Sequence, residues 1–304
     1  MKVLVTGGAG FIGSYVVEEL QASGHKPLIF DHYNRGSYPC AVFLGDVRDS
    51  TAVTEAMGHA DGWIHLAGVL GTQETINNPR PAVETNLMGG LNMLEAAAQY
   101  KTPGAYISLG NHWMNNPYSI SKSMMERFVH MFNGERGTKI NIVRAMNAYG
   151  PRQLAAAPFG ISKVRKVVPS FVCRALANMP IEIYGDGSQV SDMVYAADVA
   201  KALVISLEKA TEGVVFSEVV EVGPDDHITI RKFAEMVIDA CASESEIINL
   251  PMRPGEIPGA TVSADCATLR HVNMRVDDLV PLDQGLALTV DYYRNLVLDS
   301  CQTC

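Results

Sequence analysis

The chain has little cysteine, little positive charge and no long apolar run. Its six cysteines, at 40, 173, 241, 266, 301 and 304, are sparse and scattered over 304 residues. A disulfide framework is therefore not expected, and a reducing, cytoplasmic setting fits. Cys301 and Cys304 stand at C-x-x-C spacing at the far end, but redox motifs of that spacing normally open a helix beside a strand, so no function is expected of them. No stretch approaches the ~20 apolar residues that a membrane span requires. The opening MKVLVTGG reads directly as a strand and not as a leader peptide. Lys and Arg number 24 against 33 Asp and Glu, a net charge of −9, which argues against a nucleic-acid groove because phosphate backbones need clustered cations. A phosphate-bearing small molecule stays open, since backbone amides and one or two arginines suffice to hold it. No internal repeat, low-complexity segment or metal site is expected.

What is present is a regular alternation. Short apolar runs at Lys2–Thr6, Pro27–Asp31, Ala41–Gly45, Gly62–Ala67, Ala105–Leu109 and Ile140–Ala145 read as strands. Segments with 3.6-residue spacing lie between them, at Phe11–Ser23, Ala82–Tyr100 and Tyr118–Phe132. Strands apolar on both faces and separated by helices predict an α/β fold, a Rossmann-type doubly wound parallel sheet. The rhythm changes at the turn signal Gly150-Pro151-Arg152, after which elements become shorter and mixed. Residues 1–152 are expected to form the dinucleotide-binding domain, with about 194–224 returning to it through a buried strand at Val214–Val222. Residues 153–193 and 225–304 are expected to form a smaller mixed α/β substrate-binding region.

Gly7, Gly10 and Gly13 stand at G-x-x-G-x-x-G spacing between the first strand and the first helix. Gly7 permits the tight turn, Gly10 lets a pyrophosphate approach the backbone, and Gly13 lets the helix pack on the sheet. The helix N-terminus then presents free amides to the anion. Asp31 ends the second strand about twenty residues on, where a carboxylate accepts from a ribose 2′-hydroxyl and repels a 2′-phosphate, favouring NAD over NADP. Arg35 softens that choice if it swings toward the ribose. Asp46 ends the third strand and is expected at the adenine, a helix-capping role being its competitor.

Tyr118 and Lys122 are four residues apart, on one face of a helix. A free tyrosine titrates near 10; a neighbouring ammonium lowers that value by stabilising the phenolate. The chain here resembles the extended short-chain dehydrogenase/reductases, in particular the NAD-dependent NDP-sugar epimerases and dehydratases of the UDP-glucose 4-epimerase kind. The resemblance rests on TGGAGFIG at 6–13, GDV at 45–47, HLAG at 65–68, ETN at 84–86, LNMLEAA at 91–97 and YSISK at 118–122. It continues through VRAMNAYGPRQ at 143–153, IYGDGSQ at 183–189, VYAADVA at 194–200 and RPGE at 253–256. It implies that Tyr118 is the catalytic base and that Lys122 lowers its pKa and holds the nicotinamide ribose. It assigns Gly7, Gly10, Phe11, Ile12, Gly13, Asp31, Asp46, Val47, Leu66, Ala67 and Gly68, with Tyr118 and Lys122, to NAD. It assigns Asn147 and Arg253 to the diphosphate of a nucleotide sugar. It also implies a homodimer through a four-helix bundle of the helices at 82–100 and 118–132.

Three departures from the family pattern bear on the reaction. The Ser or Thr that usually follows the fifth strand falls on Leu109 or Gly110, with Ser108 one or two places early and Asn111 or His112 as substitutes. The connection from this strand to Tyr118 is short, so the sugar pocket is expected to be more open or filled by another segment. Ser191 stands where the family usually carries an arginine for the diphosphate, with Lys163, Arg165 or Lys166 as compensating groups. The acid pair that dehydratases use is replaced by Gly110 and Asn111, and decarboxylases typically need a Glu there too. The expected activity is therefore 4-epimerisation of a UDP-sugar through a transient 4-keto intermediate, catalysed by Tyr118, Lys122 and Ser108. Dehydration, decarboxylation and a non-catalytic NAD-binding sensor are the alternatives.

Overall fold

The structure is a computed structural model that describes residues 1–33, 40–162 and 164–302; Arg35, Lys163 and Cys304 lie outside the described residues. The first half runs β1 (Lys2–Thr6), α1 (Phe11–Ala22), β2 (Lys26–Asp31), β3 (Ala41–Leu44), α2 (Ser50–Met57) and β4 (Gly62–His65). It continues with a short α3 (Arg80–Ala82), a π-helical turn (Val83–Met88), α4 (Gly89–Tyr100), β5 (Gly104–Leu109), α5 (Pro117–Arg136) and β6 (Ile140–Ala145). After these come β7 (Asn147–Tyr149), α6 (Val167–Leu176), β8 (Ile181–Tyr184), β9 (Val190–Ser191), β10 (Met193–Tyr195) and α7 (Ala196–Thr211). The chain closes with β11 (Val220–Val222), α8 (Ile230–Cys241), β12 (Ile247–Leu250), β13 (Thr261–Val262) and α9 (Leu282–Gln302).

Seven strands form one parallel sheet in the order β11-β6-β5-β4-β1-β2-β3. The order reverses between β1 and β4, and at such a switch point the strand ends part to leave a crevice for a ligand. Helices cover both faces, as strands apolar on each side require. Val3, Val5, Ile64 and Ile107 face α1 and α7 in one apolar cluster. Leu4, Trp63, Tyr106 and Ile142 face α2, α4 and α5 in the other. Three two-stranded parallel ribbons, β7 with β10, β8 with β12 and β9 with β13, stand apart from the large sheet. No described helix is long and apolar enough to cross a membrane.

Two elements differ from expectation. The strand expected at Val214–Val222 is reduced to β11, which does pair with β6 from Val220 opposite Val143. Upstream, the buried Asn141 side chain bonds the Val214 carbonyl (3.1 Å) and the Phe216 amide (2.9 Å), so a side chain satisfies backbone groups that a ladder would have used. The helix expected to run unbroken from Ala82 contains the π-helical turn. There the buried Asn86 accepts from Val69 N (2.7 Å) and donates to the Val69 carbonyl and to Ser121 Oγ (both 3.0 Å).

Candidate active site

One cavity of about 860 Å³ runs along the carboxyl ends of the strands and under the smaller ribbons, and Tyr118, Lys122, Ser108, Asn147, Arg253 and the residues assigned to NAD all line it. At its β1 end Gly7 adopts φ +69° and donates to the Phe30 carbonyl at 2.9 Å. A Cβ on Gly13 would run into the Gly7 carbonyl oxygen and the Gly8 backbone, so only glycine lets α1 start this close to the turn. Gly10 caps α1 without any side-chain bond, leaving first-turn amides for an anion. The Asp31 carboxylate is buried and accepts from Ala9 N and Tyr33 N, both at 3.2 Å. A cradle that a Cβ would fill, beside a buried acceptor at the end of β2, fits a dinucleotide with a free ribose 2′-hydroxyl. Val47, Leu66, Ala67 and Gly68 form the facing wall.

Asp46 lines the cavity, but its carboxylate is gripped by Arg48 at 2.6 and 3.0 Å, which holds it below the usual carboxylate range. The capping role falls to Asp49, which accepts from Thr51 N and Ala52 N at the start of α2.

The middle of the cavity is set by α5. Asn116 caps it by accepting from Ser119 N at 2.9 Å, and Pro117 opens it, a residue suited to the first turn because its missing N–H is not needed there. Tyr118 and Lys122 follow one turn apart. The Lys122 ammonium lies 4.5 Å from the centre of the buried Tyr106 ring, and Lys166 from the substrate side lies 5.9 Å from the centre of the Tyr118 ring. Burial pushes Tyr118 up to about 12. It pushes Lys122 down to about 7, against the opposing charge of Glu126. The expected lowering of Tyr118 by Lys122 is thus not met by the protein alone: burial sets the direction of the shift.

Ser108 is buried on the face of β5 it shares with Tyr106, and its Oγ has no partner among the described residues. A Cβ on Gly110 would collide with the Met146 sulfur and lie 2.9 Å from Val262, so a thioether fills the space beside that position. Leu109 is buried in the cavity wall. Of the two polar substitutes, Asn111 lines the cavity while His112 does not. The His112 ring instead pairs with the Gly110 carbonyl at 3.2 Å, a local structural role. The short connection over 110–116 is backed by the 253–256 segment, where Asn116 Nδ2 meets the Gly255 carbonyl at 3.4 Å.

At the far end Asn147 and Ser191 are hydrogen-bonded to each other. Arg253 stacks on Tyr184 at 4.8 Å and pairs with Glu256. Its Nε is buried without a partner among the described residues. Arg165 bonds Glu182 (2.9 Å) and the Tyr184 hydroxyl, and Arg174 reaches Glu182 at 3.0 Å. Arg165, Lys166, Arg174 and Arg253 thus meet the carboxylates of Glu74, Glu182 and Glu256, one positive charge in excess. Of the groups expected to compensate for the arginine absent at Ser191, Arg165 and Lys166 line this end of the cavity, and Lys163 lies outside the described residues.

Residues 3–223 match the model of the NAD dependent epimerase/dehydratase family. The chain belongs to that family. Within it, the crystal structure of the Thermus thermophilus UDP-glucose 4-epimerase in complex with NAD is 31% identical, with a TM-score of 0.82 over 97% of this chain and 99% of that one. A putative UDP-glucose 4-epimerase of Methanocaldococcus jannaschii is 29% identical over 96% of this chain and 98% of its own length. A UDP-N-acetyl-alpha-D-glucosaminuronate decarboxylase of Bacillus cytotoxicus is 26% identical over 98% and 99%. The family therefore joins NAD-dependent epimerases, dehydratases and decarboxylases of nucleotide sugars, and this chain is an enzyme type of that breadth.

Sequence reasoning missed Arg174, Glu182, Tyr184, Glu74 and Glu256 in this family member. Tyr184 and Glu256 lay inside quoted motifs, IYGDGSQ and RPGE, and could have been found there. Arg174, Glu182 and Glu74 carry no local signal, being brought in by α6, β8 and the loop after β4.

Proposed function

We propose that this family member is a 4-epimerase of a UDP-sugar that works through a transient 4-keto intermediate. The observation that carries the reading is one continuous cavity with Asp31 at one end and Arg253 at the other, and with Tyr118, Lys122 and the unpartnered Ser108 hydroxyl between them. Gly7, Gly10, Gly13 and Asp31 would hold NAD, which when bound supplies reversible hydride acceptance at the sugar carbon and a positive ring that favours the Tyr118 phenolate. Tyr118 takes the proton of the sugar 4-hydroxyl and returns it after the keto-sugar has turned. Lys122 stabilises the phenolate and orients the ribose, and Ser108 offers its hydroxyl to the reacting oxygen. Asn147 and Arg253, with Arg165, Lys166 and Arg174, hold the diphosphate, binding energy that fixes the sugar while its ring changes face. The absence of a carboxyl pair at Gly110 and Asn111 disfavours elimination of water.

Incubation with UDP-, GDP- and dTDP-sugars tests the reading. Epimerisation gives a product of unchanged mass, while loss of water or of carbon dioxide would replace it by dehydration or decarboxylation. Saturable NAD binding with no sugar effect would favour a sensor. Tyr118→Phe is expected to lower turnover by about 10²–10⁴-fold; near-normal turnover would remove Tyr118 from the reaction.

A further inference from the structure

Behind Lys122 lies a set of buried charges that the mechanism above does not use. Glu126, one turn further along α5, is buried and accepts two bonds from Arg144 on β6, at 2.8 and 2.6 Å. Arg144 also bonds Glu221 on β11 at 2.8 Å, and Glu221 accepts the Asp265 amide at 2.9 Å. Two carboxylates around one guanidinium leave a net charge of −1 inside the protein. As a stabilising device this is a poor choice, because a buried ion cluster is often no better than apolar packing of the same volume. Adding the Lys122 ammonium makes the group neutral.

The other groups around Lys122 do not offer that countercharge. His65 from β4 is held neutral by burial and by the lysine itself. Tyr106 from β5 presents its ring face, and Tyr118 from α5 is a neutral phenol until it reacts. Glu84 on the π-helical turn is half-buried and its carboxylate is turned to Arg80 at 3.5 Å, and Glu95 on α4 is exposed. On α5 itself Arg127 is exposed and adds no negative charge.

We propose that Glu126 is a positioning residue for Lys122: fixed by Arg144, its carboxylate keeps the lysine an ammonium and so able to stabilise a phenolate at Tyr118. This rests on the reading of Tyr118 and Lys122 as the reacting pair. Without Glu126 the desolvated lysine gives up its proton at lower pH, and a neutral amine cannot favour the phenolate. The fixed pairing with Arg144 also stops the carboxylate from swinging onto the lysine and drawing it away from the cavity.

The test is the titration of Lys122 followed by NMR in protein labelled at the lysine ε-carbons, with the resonance assigned by its loss in Lys122→Arg. Glu126→Gln should lower the Lys122 pKa by roughly one pH unit, while Glu126→Asp should restore most of it. Glu221→Gln, at a partner less deeply buried than Glu126, should give a smaller shift of the same sign and serves if Glu126→Gln does not fold. In turnover, the alkaline limb of the pH profile should move down by the same amount in Glu126→Gln. A Lys122 titration unchanged in both variants would overturn the proposal. Failure of the wild type to turn over any nucleotide sugar would instead count against the proposed function, and the titration would still decide the role of Glu126.

Discussion

Thr6 Oγ1 lies 2.6 Å from His65 Nδ1 and also accepts from Leu66 N and Ala67 N, at 3.2 and 3.3 Å. With two N–H groups already donating to it, the hydroxyl can offer its single proton only to the histidine. His65 Nδ1 is therefore an acceptor and Nε2 carries the hydrogen, buried with no partner among the described residues. Burial, then the charge of Lys122, lowers His65 to about 3 from an ordinary 6.5. A folded-state pKa below the unfolded one means that the unfolded chain binds the extra proton. The contribution to stability is whole above about pH 6.5 and is lost as pH falls toward 3, a few kcal/mol at most. His65→Asn, which keeps an acceptor near Nδ1 and cannot titrate, should melt lower at pH 8 yet show a flatter loss of melting temperature on acidification. Parallel pH–melting curves for the two proteins would remove His65 as the acid-sensitive group. Of this chain of contacts the sequence offers the motifs that hold its members, TGGAGFIG, HLAG and YSISK, but not their meeting. By contrast the roles of Gly7 and Gly13 could be read directly, because the turn and the packing of α1 on it exclude any side chain. The Met146 thioether beside Gly110 could not, since Met146 meets β5 only through the pairing of β6 with its neighbours.

At the scale of the elements, the strands of the first half follow their apolar runs closely because each is buried on both sides, and a period-independent run is all that a parallel core strand needs. Boundaries shift where a side chain competes for the backbone. Asn141 does this before β11, and Asn86 does it at the π-helical turn, where one buried amide bonds both backbone groups of Val69 and so fixes the cavity-lining loop that follows β4. Single-turn π segments tend to occur where a side chain must be aimed at a functional site. Asn86→Ala would leave the Val69 N–H and C=O unpaired, at about 1–3 kcal/mol for each buried orphan. A lower melting temperature together with weaker NAD binding by calorimetry is expected. Loss of stability with unchanged NAD affinity would show that the turn supports the fold without shaping the wall.

At the scale of the whole molecule, α5 serves two surfaces with one sequence. Its inward face carries Tyr118, Lys122 and Glu126. Its outward face exposes Ile120 (44%), Met124 (41%) and Met131 (39%), and Met88 beside the start of α4 is 50% exposed. Apolar residues at i, i+4 and i+11 form a stripe, and a lone stripe on a pair of neighbouring helices is matched best by its own copy across a two-fold axis, each contact then being made twice. We propose the homodimer through a four-helix bundle of α4 and α5 on this ground. The arrangement would hold the helix that bears Tyr118 and Lys122 between its own core and a partner, limiting its freedom to shift when Lys122 changes charge. Ile120→Glu combined with Met124→Lys should give a monomer in sedimentation velocity, with NAD binding retained and turnover reduced. A wild type that sediments as a monomer at all accessible concentrations would refute the dimer. Turnover unchanged in a monomeric variant would show that α5 is held firmly enough by β5 and β6 alone, through the same Arg144 contact that fixes Glu126.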